Sequence, residues 1–172
     1  AHGDSSSFSG YKGASITGTD LKAIRDTYGK PLPLRVVYMM NCKGAGLNDE
    51  WLYVGAKATG GSVNNNYIPE PMMSKFWNNW LRGDNFTTAV TTAYDDSVKL
   101  VKNTIAKAED FIPLVGNKIR KALEAEIDPL LADSKPKIEG NGAITIDTAK
   151  LAASQSYAFA EEFFSEAKYG TG

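Results

Sequence analysis

Leu34-Arg35-Val36-Val37-Tyr38-Met39-Met40-Asn41-Cys42 leads without a break into Lys43-Gly44-Ala45-Gly46, and how this stretch is read decides the fold. The run of Val, Val, Tyr, Met and Met is apolar on both faces, as expected for a central parallel strand covered by helices on each side. The glycines behind it predict a turn at the strand's exit. Cys42, at that exit, is the only cysteine of the chain. The only histidine, His2, lies forty residues earlier and is also followed by a glycine, Gly3.

Working outward, Pro31 and Pro33 force an extended approach to Leu34. Before them, Thr19 or Asp20 can cap a short helix through Tyr28 that Gly29 closes as a left-handed stop, with Leu21, Ile24 and Tyr28 on one face. Residues 3–18 hold four glycines and five serines and read as a loop carrying a short hairpin. After the glycine turn, Asn48 to Val54 forms a brief helix, capped by Asn48 or Asp49. Ala56 to Gly61 is a second, small-residue strand, and Asn64-Asn65-Asn66 is a loop. Pro69 or Pro71 opens an amphipathic helix that carries Met72, Met73, Phe76, Trp77, Trp80 and Leu81 and stops at Gly83. Phe86 to Ala108 is helical, Pro113 and Gly116 interrupt it, and Asn117 to Ile127 returns as the partner of a helical hairpin. Ser134 to Gly142 is polar and turn-rich, Ala143 to Ile146 alternates as a last strand, and Asp147 or Thr148 caps a final helix to Lys168.

The chain of 172 residues with 42% apolar content supports one domain with a substantial core. The expected class is α/β, a partial sheet, parallel or mixed, flanked by helices. Residues 1–96 form its core, 97–133 the hairpin insertion, and 134–172 the last strand and C-terminal helix. A net charge of −1 provides no electrostatic case for nucleic acid, and no apolar run approaches the roughly 20 residues of a membrane span. The start at Ala1 reads as a processed product or as part of something longer. A secreted or cell-envelope location is slightly favoured.

A cysteine nucleophile needs an imidazole to accept its proton and later protonate the leaving group, and backbone N–H groups to hold the oxyanion. The carboxyl edge of a parallel sheet is where α/β folds place such groups. Cys42 occupies such an edge, and the glycine after His2 lets a bare backbone N–H approach a substrate closely.

A His-Gly followed some forty residues later by an apolar strand ending in Cys resembles the caspase-like cysteine peptidase fold of caspases, metacaspases, legumains, clostripain, gingipains and CHAT peptidases. The similarity continues through Trp51-Leu52-Tyr53-Val54-Gly55-Ala56-Lys57-Ala58-Thr59-Gly60, then Phe76-Trp77-Asn78-Asn79-Trp80-Leu81-Arg82-Gly83, then Phe86-Thr87-Thr88-Ala89-Val90, covering about residues 1–96. The resemblance implies a cysteine endopeptidase acting on polypeptides, with Cys42 as nucleophile, His2 as acid/base, and the N–H groups of Gly3 and Cys42 as oxyanion hole. It implies no cofactor beyond the calcium some relatives use, for which no residue here assigns a site. It also implies strands before His2, so another chain, or a segment of the same precursor, is expected to complete the sheet. Where relatives often carry an acidic residue or Gln two positions before the cysteine, this chain has Met40, so specificity for a basic residue ahead of the scissile bond is not implied. A non-catalytic caspase-like subunit with a structural or assembly role is the alternative.

Other readings of these residues compete. A strand cysteine is often simply buried. Lys43-Gly44-Ala45-Gly46 lacks the spacings of phosphate-binding loops. Asp95-Asp96 and Glu161-Glu162 lack calcium-loop spacing and read as solvated helix faces. Trp77 and Trp80 read as core. Asn85-Phe86-Thr87 matches a glycosylation triplet of little weight, and one His with one Cys excludes a zinc site.

Overall fold

A computed structural model describes residues 2–109 and 116–147. In chain order its elements are β1 (Ser7–Ser9), β2 (Ser15–Thr17), α1 (Gly18–Tyr28), β3 (Val36–Met39), α2 (Asn48–Val54), β4 (Ala58–Ser62), α3 (Pro69–Leu81), α4 (Phe86–Glu109), α5 (Gly116–Asp133) and β5 (Pro136–Gly140). The class is α/β, with two small sheets. β1 and β2 form an antiparallel hairpin with Phe8 opposite Ile16. The larger sheet is mixed and runs β3-β4-β5. β3 lies parallel to β4, Val36 opposite Ala58 and Met39 opposite Gly61. β5 lies antiparallel on the other side, Ala58 opposite Gly140.

The large-residue run is therefore not the central strand. β3 is the edge of this sheet among the described residues, and its four residues are all half-buried. The centre is β4, Ala-Thr-Gly-Gly-Ser, whose five residues are all buried. Its residues are small because both faces are covered at close range. A Cβ on Gly60 would touch the Phe86 ring at 3.5 Å, and one on Gly61 would come within 2.6 Å of the Ala45 backbone nitrogen. A strand squeezed between a ring and a turn has no room for the bulky side chains that usually signal a buried strand.

Phe86, fully buried, is the hub of the main core. Tyr38, Phe76 and Trp80 meet its ring edge-on at centroid distances of 6.2, 6.0 and 6.2 Å, the arrangement favoured by the ring quadrupole. A second cluster gathers Ile68, Met72 and Leu131, with Met40, Val98, Val101 and Ile127 against it. Here α5 returns antiparallel to α4: the Tyr94 hydroxyl donates to Leu131 O at 3.0 Å, and Lys102 pairs with Asp128 at 2.8 Å. Gly116 belongs to α5, which continues past Ile127 to Asp133 with Pro129 inside it. Trp80 is core, but Trp77 is about half exposed on the outer face of α3.

The last strand also departs from expectation. Pro136–Gly140 pairs with β4, whereas Ala143 to Ile146 forms no strand. The 142–144 segment serves α4 instead. Gly142 O accepts from Thr87 N at 3.0 Å and Ile144 O from Phe86 N at 2.8 Å, satisfying N–H groups that a helix start leaves open. Asn85 Oδ1 accepts from Thr88 N at 2.9 Å, so the triplet's asparagine is a helix cap. Lys137 and Glu139 pair at 2.5 Å, and with Pro136 and Gly140 at its ends β5 has Ile138 as its one large apolar residue, too few to show a period. Ile146 and Asp147 are already helical, and the rest of the predicted C-terminal helix lies outside the described residues.

The cap of α1 is Thr17, two residues before the expected position. Thr17 Oγ1 accepts from Asp20 N at 3.2 Å while Asp20 Oδ2 accepts from Thr17 N at 2.8 Å, a reciprocal capping box. Gly29 closes the helix in the left-handed region, as read from the sequence. At α2, Asn48 is the first helical residue, and no side chain caps that helix.

Two measurements check this architecture. Phe86→Ala removes the ring on which three aromatics converge and is expected to cost about 3–5 kcal/mol in chemical denaturation; a loss under about 1 kcal/mol would contradict its central place. The hydroxyl and amide of Thr17 hold the Asp20 carboxyl below its ordinary value. A lowered pKa contributes stability above the unfolded value of about 3.9, lost as the pH falls through the folded value. Asp20→Asn should therefore lower the melting temperature at pH 6, with the gap to wild type closing as the pH falls below about 4. A gap that stays constant to pH 2 would sink the assignment.

Candidate active site

The Cys42 turn is made by backbone geometry that few residues adopt. β3 ends at Met39, and four residues later Lys43 takes a left-handed conformation, φ 54° and ψ 26°. Such a conformation in a non-glycine residue is uncommon and needs its surroundings to hold it. They do so from several sides. Lys43 N donates to Asn64 O at 2.7 Å, Gly44 N to Asn41 O at 3.3 Å, and Gly46 N to Lys43 O at 2.9 Å. Asn66 Nδ2 donates to Met40 O at 3.1 Å, and the buried Ser62 hydroxyl to Asn41 O at 3.1 Å.

The Asn64-Asn65-Asn66 stretch, which the sequence marked only as a loop, is thus the brace of the thiol turn. It is itself tied to the end of α5: Asn64 Nδ2 donates to Asp133 Oδ1 at 3.1 Å, and Tyr67 N to Ser134 Oγ at 2.8 Å. Nothing in a single sequence marks this role, because the loop's partners are a hairpin away.

Cys42 is half-buried and free. The N–H groups of Gly44 and Gly46 are used inside the turn and that of Lys43 by the Asn64 carbonyl, while among the described residues the Cys42 N–H meets no acceptor. Met40 lies against the Ile68, Met72 and Leu131 cluster.

His2 is exposed, and its backbone is anchored. Its carbonyl accepts from Ser9 N at 2.8 Å, and Asp4 N donates to Ser7 O at 2.9 Å. Gly3 and Phe8 are therefore a non-hydrogen-bonded bridge pair, in which the N–H and C=O of Gly3 point away from Phe8. Asp4 turns the chain between the two arms: its Oδ1 accepts from Ser6 N at 2.7 Å and Ser7 N at 2.8 Å, which lowers its pKa. Phe8 stacks on Trp51 of α2 with centroids 6.1 Å apart.

The segments that carry the two candidate residues meet at Gly3. Asn41, 2% exposed, directs its Nδ2 to Cys42 O at 3.0 Å. The same amide group fills the space where Gly3 would carry a side chain, and a Cβ there would collide with it. Four residues beyond the thiol, Gly46 accommodates the backbone of Ser5, whose Cα lies 2.6 Å from where its Cβ would be. The Gly3–Ser5 segment and the Cys42 turn are therefore packed together at two glycines, Gly3 and Gly46. Asn41, missed in the sequence, lies between them. The pattern that could have found it is a polar residue interrupting an apolar run just before a functional cysteine.

No cluster of three metal-ligating side chains occurs among the described residues, and no helix among them is long and apolar enough to cross a membrane. Comparison with protein-family models, with curated proteins and with solved structures finds no match for this chain.

The packing of the turn on β4 has a direct test. Gly61→Ala would place a methyl 2.6 Å from two backbone atoms of the turn, Ala45 N and Gly44 C, neither of which can swing aside. It is expected to cost about 1–3 kcal/mol and to change the iodoacetamide labelling rate of Cys42. A variant matching wild type in both would refute the close approach.

Proposed function

We infer that this chain is a cysteine endopeptidase of caspase-like architecture, with Cys42 as nucleophile and His2 as its acid/base. The observation that carries this reading is the contact of Gly3 with Asn41 next to Cys42, which joins the segments of a histidine and a cysteine forty residues apart. In the reaction, His2 takes the Cys42 proton and the thiolate forms a C–S bond with the scissile carbonyl carbon. The N–H groups of Gly3 and Cys42 hold the oxyanion. As the C–N bond breaks, the His2 imidazolium protonates the departing amine, leaving a thioester. Water, giving a proton to His2, then attacks the thioester, releasing the acid and the thiol. The substrate class is polypeptide.

One observation favours a second reading, a non-catalytic caspase-like subunit with a structural or assembly role. Among the described residues β3 pairs on one side only, and an open edge is a pairing surface. A strand from another chain or from the same precursor would pair there, and such a partner is compatible with the peptidase reading as well.

A peptide-library assay with wild type, Cys42→Ala and His2→Ala separates the two. The peptidase reading expects cleavage by wild type, none by Cys42→Ala, and kcat/KM lowered about 10²–10⁴-fold in His2→Ala. It also expects iodoacetamide to label Cys42 at neutral pH faster than a model thiol. No cleavage, together with labelling at the model-thiol rate and a stable oligomer by light scattering, would replace it with the subunit reading.

A further inference from the structure

We propose that Asn41 is the positioning residue of this site, the side chain that holds the His2–Gly3 segment in register with the Cys42 turn; the catalytic part of this proposal rests on the peptidase reading above. An amide at the end of an apolar strand would ordinarily face solvent, yet Asn41 is 2% exposed. Burying it requires partners, and those partners are the site itself. Its Nδ2 donates to Cys42 O at 3.0 Å, fixing the peptide that follows the thiol. Its main-chain carbonyl accepts from the Ser62 hydroxyl at 3.1 Å and from Gly44 N at 3.3 Å, fixing the residue between the sheet and the turn.

Two glycines, forty-one positions apart, are bare where this side chain lies. Gly3 has the amide nitrogen against its Cα, and a Cβ on Gly44 would sit 3.2 Å from Asn41 Oδ1 and 2.6 Å from Met39 Cβ. Asn41 is thus in contact with the residue after the histidine, bonded to the carbonyl of the cysteine, and closed in by the turn. Alanine would fill none of this space, and leucine would leave Cys42 O without its donor. Because Asn41 is not aimed at substrate, its effect passes through the placement of Gly3 and His2, where a displacement of about 1 Å is worth about 10²-fold in rate.

The test uses the whole chain and two readouts. Amide hydrogen exchange of the His2–Ser9 segment in Asn41→Ala should rise about tenfold or more, with exchange in α4 unchanged. The profile of Cys42 alkylation by iodoacetamide against pH should move from that of wild type onto that of His2→Ala, and kcat/KM toward cleavable peptides should fall about 10–10²-fold with KM little changed. Unchanged exchange of His2–Ser9 in Asn41→Ala overturns the proposal whatever the chemistry. Identical alkylation profiles for wild type and His2→Ala would overturn the dyad, and raised exchange of His2–Ser9 would then still support the coupling of the two segments by Asn41. If Asn41→Ala does not fold, Gly3→Ala strikes the same contact from the N-terminal side. It should produce the same rise in exchange, and wild-type exchange in that variant refutes the coupling.

Discussion

Everything in this fold leans on the bare backbone of β4. Gly60 admits the Phe86 ring on one face, and Gly61 admits the Gly44–Ala45 turn on the other. The first contact builds the aromatic core that fastens α3 and α4 to the sheet. The second brings the chain after Cys42 down onto the sheet, where Lys43 is held in a left-handed conformation by the Asn64 carbonyl. One strand of small residues thus links stability to the geometry of the thiol, because close packing on both faces leaves no slack between them.

The N-terminal residues reach the Cys42 turn by a separate route. Asp4 folds residues 2–9 back on themselves, β1 pairs with β2, and the Thr17–Asp20 capping box passes the chain into α1. α1 is then fastened to α2, with Lys22 to Glu50 at 3.1 Å and the Tyr53 hydroxyl donating to Asp26 at 2.6 Å. Phe8 on Trp51 adds an aromatic contact to the same helix. Since α2 follows directly on the Cys42 turn, the histidine and cysteine segments share a support. They are pressed together at Gly3 and Gly46 and joined at Asn41.

Much of this was legible where the signal is local. The span Asn48–Val54, the glycine stop at Gly29, the starts of α3 and α4, and the helical hairpin follow from apolar period and from glycine and proline placement. So does the exit of a strand into a glycine turn at Cys42. The errors share a cause. Val36–Met39 looked central because it is large and apolar, yet β4 is central and small because its coverings come close. Ala143 to Ile146 looked like a strand because it alternates, yet the Ile144 carbonyl, with that of Gly142, serves α4. The true last strand has one large apolar residue, Ile138, between Lys137 and Glu139, too few to show an alternation.

Composition and spacing alone established an α/β chain with one thiol, one imidazole, a glycine directly after the imidazole and a glycine turn after the thiol. Those are properties of neighbouring residues, set by local conformational preference. What covers each strand, which loop braces the thiol turn, and which side chain stands between Gly3 and Cys42 depend on residues dozens of positions apart. Such contacts come into being only when the sheet closes and two glycines leave room for one buried amide. The sequence named the thiol and the histidine; the tertiary structure supplied Asn41.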